Sequence, residues 1–173
     1  MKDFIILVDE NDNQIGSEEK IKAHQEGNLH RAFSIFILNN KNRLLLQQRS
    51  VNKYHSGGLW TNTCCGHPRP GEKILEAAHR RLKEEMGFNC ELVEVFRFKY
   101  KAAFENGLIE NEIDHVFIGK HTGELHIDQS EVSAYKWVDT NFLENDIKEN
   151  PKIYASWLQM CFEGVLHYLN TKP

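Results

Sequence analysis

The sequence predicts an α+β fold: one mixed sheet flanked by helices, in a single domain covering residues 1–173. Three observations carry that prediction. Apolar runs of strand length recur between turn-rich breaks, at residues 4–8, 32–38, 44–48 and 109–118. Two segments, 72–87 and 152–169, repeat their apolar residues at helical spacing instead. The connections are mostly hairpin-like rather than regular strand–helix crossovers, which favours a mixed sheet over a doubly wound parallel one. At 173 residues the chain is long enough to bury a sizeable core.

In chain order, residues 4–8 form the first strand candidate, followed by a polar turn at 9–13. Residues 14–16 return as a short second strand, and Ser17 then reads as the cap of a helix over 18–24. His24 and His30 bracket a polar loop at 25–28. Two histidines this close suggest a metal site, but by themselves they read first as ordinary surface histidines. Residues 32–38 and 44–48 read as a β-hairpin around Asn39-Asn40-Lys41-Asn42. Arg49 and Lys53, followed by Gly57-Gly58, suit phosphate capture by charge and backbone amides, or form a basic loop with no such role. Residues 72–87 form an amphipathic helix stopped by Gly87, with Ile74, Ala78 and Leu82 on its apolar stripe. Arg81 and Glu85, four apart, share a face of it. They can meet an anion and a cation, or pair as a solvated salt bridge. Residues 90–100 and 109–118 are strands around a turn at 105–107. Glu110 and Glu112 point from one strand face, as a cation pair would or as an exposed acidic surface. Residues 134–138 give a last strand. Asn150-Pro151 starts a C-terminal helix over 152–169.

Composition narrows the function classes. The net charge of −4 argues against general nucleic-acid binding, so any cationic site is local. Cys64, Cys65, Cys90 and Cys161 follow neither a disulfide framework nor a zinc-ribbon spacing, which implies reduced thiols and a cytoplasmic location. The apolar run near the N-terminus is too short for a signal peptide, and no segment has the length of a membrane span.

Gly66, five residues, Glu72, seven residues, then Arg80-Arg81-Leu82-Lys83-Glu84-Glu85-Met86-Gly87-Phe88 resembles the Nudix box, a loop–helix signature spanning residues 66–88. That pattern carries an acid directly after its arginine, where this chain has Arg81. With Trp60-Thr61-Asn62-Thr63-Cys64-Cys65-Gly66-His67-Pro68 and Glu110-Asn111-Glu112, the chain from Lys20 to Trp157 is similar to the type 1 isopentenyl-diphosphate Δ-isomerases of the Nudix superfamily. One departure is the loop between His24 and His30, a residue shorter than that family's bacterial members carry.

The resemblance implies a Nudix-like sheet and a residue-by-residue assignment. His24, His30, His67, Glu110 and Glu112 resemble the ligands of one Mn²⁺ or Zn²⁺ ion, a donor set that also suits Fe²⁺. Glu85 resembles the ligand of a Mg²⁺ that arrives with the substrate diphosphate. Lys20, Arg49, Lys53 and Arg81 resemble the diphosphate clamp. Cys65 and Glu112 resemble the proton-transfer pair, Tyr100 an assisting group, and Trp157 the lining of the hydrocarbon pocket. The implied partner is a small diphosphate, with no nucleic acid or membrane, handled by a monomer or weak homodimer. A Nudix pyrophosphohydrolase of nucleoside diphosphate derivatives is the alternative, with an inert metal- or nucleotide-binding module as a third reading. Arg81 counts against the hydrolase, because it removes a metal-binding carboxylate.

Overall fold

Strand β3 (His30–Leu38) is the axis of the sheet in the computed structural model, which describes residues 3–171. All nine of its residues pair in parallel with β8 (Ile109–Lys120), from His30 opposite Glu112 to Leu38 opposite Lys120. On its other side β3 meets β1 (Phe4–Val8), then the short β6 (Cys64–Gly66), then β4 (Leu44–Arg49). Outside β1 lies β2 (Gln14–Glu19); outside β8 lies β7 (Leu92–Ala103). The two-residue β5 (Trp60–Thr61) and β9 (Val132–Val138) flank β4.

Both faces of β3 are covered, which explains its unbroken apolar run. Phe33, Ile35 and Ile37 pack with Ala77, Ala78 and Leu82 of α2 (Ile74–Met86). Phe36 and Leu38 pack on the opposite face with Leu158, Phe162 and Val165 of α4 (Ser156–Thr171), following the two-residue period of a strand. Helix α2 stops where the sequence predicts: Gly87 has φ 79, and a Cβ there would lie 2.3 Å from the His126 carbonyl oxygen.

Several expectations need correction. Ser17 caps no helix. It pairs with Ile6 in β2, strand pairing continues to Glu19, and α1 (Lys20–Glu26) begins without a side-chain cap. The predicted hairpin has its turn, with Asn39 N–H donating to the Arg43 carbonyl at 3.0 Å. Its strands part after the Leu38–Leu44 pair, because β6 and β8 take β3 while β5 and β9 take β4. Helix α3 (Thr140–Glu149), absent from the sequence reading, is capped by Asp139, whose carboxylate accepts from the Asn141 and Phe142 amides. The C-terminal helix is not continuous from 152. After a 3₁₀ turn, Pro151–Ile153, the Ala155 amide donates to the Trp60 carbonyl at 2.9 Å, and α4 then starts at Ser156. That interruption sets Trp157 at the head of α4.

Asn62 ties these parts together. Its amide donates to the Ile35 and Cys64 carbonyls at 3.1 and 2.7 Å, and its Oδ1 accepts from Thr61 Oγ1 at 2.7 Å and Trp157 Nε1 at 3.1 Å. Asn62→Leu leaves buried partners unpaired and is expected to cost about 3 kcal/mol. Urea unfolding checks this; a midpoint equal to wild type would contradict it.

Candidate active site and metal centre

Sheet register alone brings three functional side chains side by side. Glu112 lies between His30 on β3 and Tyr100 on β7, paired with each. Tyr100 donates its phenol proton to Glu112 Oε2 at 2.6 Å and lies 2.9 Å from Glu110 Oε2. Glu112 Oε1 faces His30 Nε2 at 3.2 Å and His67 Nε2 at 2.9 Å. Glu110 and Glu112 therefore share one buried face, as their spacing predicts, rather than forming an exposed acidic surface.

Helix α1 supplies two more groups one turn apart. The His24 Nδ1–H donates to the Lys20 carbonyl at 2.6 Å, which fixes the tautomer and leaves Nε2 with its lone pair. The neighbouring His30 Nδ1–H donates to the Asn28 carbonyl at 2.8 Å. Both rings are fully buried, so neither is a surface histidine, and the short loop still delivers His30 to the site.

Ligand atoms of His24, His30, His67 and Glu112 all lie within 4.8 Å of one another. Glu110 does not join them; it groups with His24 and His55 instead. These donors fit a borderline divalent cation, and the buried, unpartnered Nε2 of His24 is the observation that fits best. Burial holds His24 down to about 4 and His67 to about 3, so both rings are neutral, as ligands must be. Burial pushes Glu112 up, but the His30 and His67 hydrogen bonds outweigh it and hold the carboxyl well below the usual range.

Strand β6 sorts the two adjacent thiols. Cys64 pairs with Ile35 and lies in the core beneath α2, whereas Cys65 pairs with Ser34 on the other face and packs against Tyr100 and Trp157. Arg49 approaches Cys65 Sγ at 3.9 Å and the Trp157 ring at 5.2 Å. The Cys65 thiol is pushed up to about 12, chiefly by burial; Arg49 opposes this, while Glu85, Glu110 and Glu112 add to it. The resting group is therefore the thiol. Gly66 is closely packed: a Cβ there would lie 3.1 Å from Phe33 and 3.3 Å from the Arg81 side chain, so a larger residue would have to displace one of them slightly.

Arg49, Cys65, His67, Tyr100, Glu110, Glu112 and Trp157 line one cavity of about 300 Å³ together with Lys20, Lys53, Arg81 and Glu85, whereas His24 and His30 are not part of its lining. Lys20 is half-buried above the Tyr54 ring, and desolvation with the nearby Arg81 lowers its basicity. Arg81 pairs with Glu85 and, at 3.0 Å, with Glu131, which also holds Lys53. Gln47 donates to Glu85 at 2.8 Å.

Sequence reasoning missed Glu131, His55 and Asp114. Asp114 was legible, being two residues beyond Glu112 on the same strand face; burial pushes its carboxyl well up, and Ser34 donates to it at 2.7 Å. His55 and Glu131 sit on irregular loops without periodicity.

The NUDIX domain model matches residues 28–159. The chain is 54% identical over 166 residues to an isopentenyl-diphosphate Delta-isomerase 1 of Aromatoleum aromaticum, covering 96% of this chain and 94% of that one. It is 53% identical over 165 residues to an isopentenyl-diphosphate Delta-isomerase 2 of Photorhabdus laumondii, covering 95% and 93%. The crystal structure of DR0079 from Deinococcus radiodurans shares the fold at a TM-score of 0.78 and 17% identity, over 93% of this chain and 98% of that one. The chain belongs to the Nudix superfamily and, within it, to the isopentenyl-diphosphate Δ-isomerase family.

The opposed faces of the two thiols set a labelling pattern. Iodoacetamide applied to the native protein is expected to alkylate Cys65 and spare Cys64, read by peptide mass spectrometry. Cys64→Ala is expected to cost about 1 kcal/mol of stability. Preferential labelling of Cys64 would contradict the register of β6.

Proposed function

We propose that the protein interconverts isopentenyl diphosphate and dimethylallyl diphosphate by adding a proton at one carbon and removing one from another. The observation that carries the reading is a single cavity in which Lys53 and Arg81 gather at one acidic side chain while Cys65, Tyr100 and Trp157 form an aromatic wall. A diphosphate with a short branched hydrocarbon matches both parts. Curated relatives at about half identity carry the same activity in their names. Arg81 stands where a pyrophosphohydrolase of the superfamily carries an acid, which favours binding of the diphosphate over its cleavage.

Lys20, Arg49, Lys53 and Arg81 hold the diphosphate, with Lys53 and Arg81 exchanging Glu131 for it. When bound, a Mn²⁺ or Zn²⁺ at the histidine cluster supplies positive charge beside Glu112, and Mg²⁺ at Glu85 neutralises part of the diphosphate. An alkene is a weak base, so its proton donor must be close and shielded from water, and the buried Glu112–Tyr100 pair meets both needs. Protonating the terminal methylene carbon of isopentenyl diphosphate leaves a tertiary cation at the branched carbon. The indole of Trp157 stabilises such a cation by about 2 kcal/mol when desolvated. Loss of a proton from the carbon on the diphosphate side then sets the new double bond. The reaction is reversible, so a group that gives a proton in one direction takes it in the other. Cys65 and Glu112 each pass through both forms, and Arg49 is the cation that eases ionisation of the thiol.

Charge and cysteine usage support a cytoplasmic enzyme made of one catalytic domain, working as a monomer or weak homodimer without nucleic acid or membrane. No helix among the described residues is long and apolar enough to cross a membrane.

Incubation with isopentenyl diphosphate and Mg²⁺ is expected to yield dimethylallyl diphosphate without release of phosphate; cleavage products alone would overturn the reading. Cys65→Ser is expected to lower kcat by roughly 10²–10⁴-fold while the protein stays folded and metal-loaded. Arg81→Ala removes a charge-assisted contact worth about 1.5–3 kcal/mol, so KM is expected to rise at least roughly tenfold. Unchanged kinetics in Arg81→Ala would remove it from the clamp.

A further inference from the structure

We propose that His55 is a fourth imidazole donor of the metal centre, joining Glu110 to the ion held by His24, His30, His67 and Glu112. The inference rests on the reading above that a divalent ion binds at this cluster.

His55 is 6% exposed, and its ring is fixed on several sides. It stacks on Phe104 at 4.6 Å with planes 12° apart, and meets Tyr54 at 4.4 Å and Trp157 at 5.9 Å edge to face. The Nδ1 atom lies 3.2 Å from Ser56 Oγ. An Nδ1–H donated to that hydroxyl leaves Nε2 with the lone pair a ligand needs. Ser56 itself has φ 52, a left-handed conformation that a non-glycine residue rarely adopts, at the point where the loop turns His55 inward.

The Nε2 atom lies 3.1 Å from Glu110 Oε1, yet the approach is too bent for a hydrogen bond, and the nitrogen is buried without a partner. Among the described residues, only one other buried imidazole nitrogen is in that position: His24 Nε2. The two belong with Glu110 to one group whose ligand atoms all lie within 4.8 Å of one another. Opposite ligands of one ion, at bonds of about 2.1 Å, are separated by about 4.2 Å, so this spacing suits a shared cation.

His24 also belongs to the group of His30, His67 and Glu112. Its Nδ1 is committed to the Lys20 carbonyl, so only Nε2 can ligate, and one lone pair serves one cation. The two groups do not merge at that spacing, so a single ion with His24 as their common member would draw His55 and Glu110 in towards the other donors. His55 and Glu110 complete the set from the cavity side. Four imidazoles with two carboxylates close the coordination sphere. The ion then fixes Glu112 and biases the site towards nitrogen-preferring metals over Mg²⁺, rather than ligating the substrate.

The probe is Co²⁺ added to metal-free protein, followed by visible absorption and by competition with a chelator. His55→Phe keeps the stack on Phe104 and removes the donor; His55→Gln is read in parallel should the phenylalanine variant fail to fold. Melting of the metal-free proteins checks their folding. Wild type is expected to show the weak absorption of six-coordinate Co²⁺, and the variant the stronger absorption of five-coordinate Co²⁺ with at least about tenfold weaker binding. An unchanged spectrum in a folded variant, whatever its affinity, overturns ligation by His55 and leaves the ring as a pocket wall. A wild type that takes up no Co²⁺ overturns the metal centre itself, and this inference with it.

Discussion

The Glu112 carboxylate is the group on which the rest of the site depends. Two imidazoles reach one of its oxygens and a phenol reaches the other, while burial leaves the residue only 4% exposed. A buried carboxylate is costly unless it is paired, and here the pairing comes from three strands and a loop. Parallel pairing of β3 with β8 fixes His30, antiparallel pairing of β7 fixes Tyr100, and β6 carries the chain to His67. The same carboxylate belongs both to the donor cluster and to the cavity wall, so in the proposed mechanism metal binding and proton transfer meet at one side chain.

The Nudix loop–helix is put to a different use here than in a hydrolase. Glu85 keeps its place on α2, buried and held by Gln47, while the neighbouring position presents a guanidinium. Replacing an acid by Arg81 exchanges a cation-binding group for an anion-binding one. On the proposed reading, that exchange favours holding a diphosphate over cleaving it. In the proposed mechanism the chemistry falls to Cys65, Tyr100 and the indole of Trp157, which α4 sets beside them after Ala155 pairs with Trp60.

Periodicity made part of this legible in the sequence. The two-residue period placed Glu110 and Glu112 on one face, and the helical period placed Arg81 beside Glu85. Tertiary context decided the rest. Spacing could not say whether His24 and His30 faced water, because that depends on β8 closing over them. Ser17, Glu18 and Glu19 resemble a cap and first helical turn, but pairing with β1 takes them into a strand. Helix α3 fully buries only Leu143, with Ile147 partly buried one turn on, so its apolar stripe is too narrow to stand out. The strands β5 and β6, two and three residues long, are too short to leave a pattern. His55 lies in a loop whose conformation follows from packing against Phe104 and Trp157, and no local rule announces it.

Solvent deuterium tests proton transfer through Glu112 and Cys65 most directly. Isopentenyl diphosphate is incubated with the protein and Mg²⁺ in D₂O and followed by ¹H NMR. Both groups exchange with solvent, so deuterium is expected in a methyl group of the dimethylallyl product and, as the reaction reverses, on the carbon beside the diphosphate-bearing one. An isomerised product free of deuterium would mean that hydrogen moves directly between carbons, which would contradict proton transfer through these side chains.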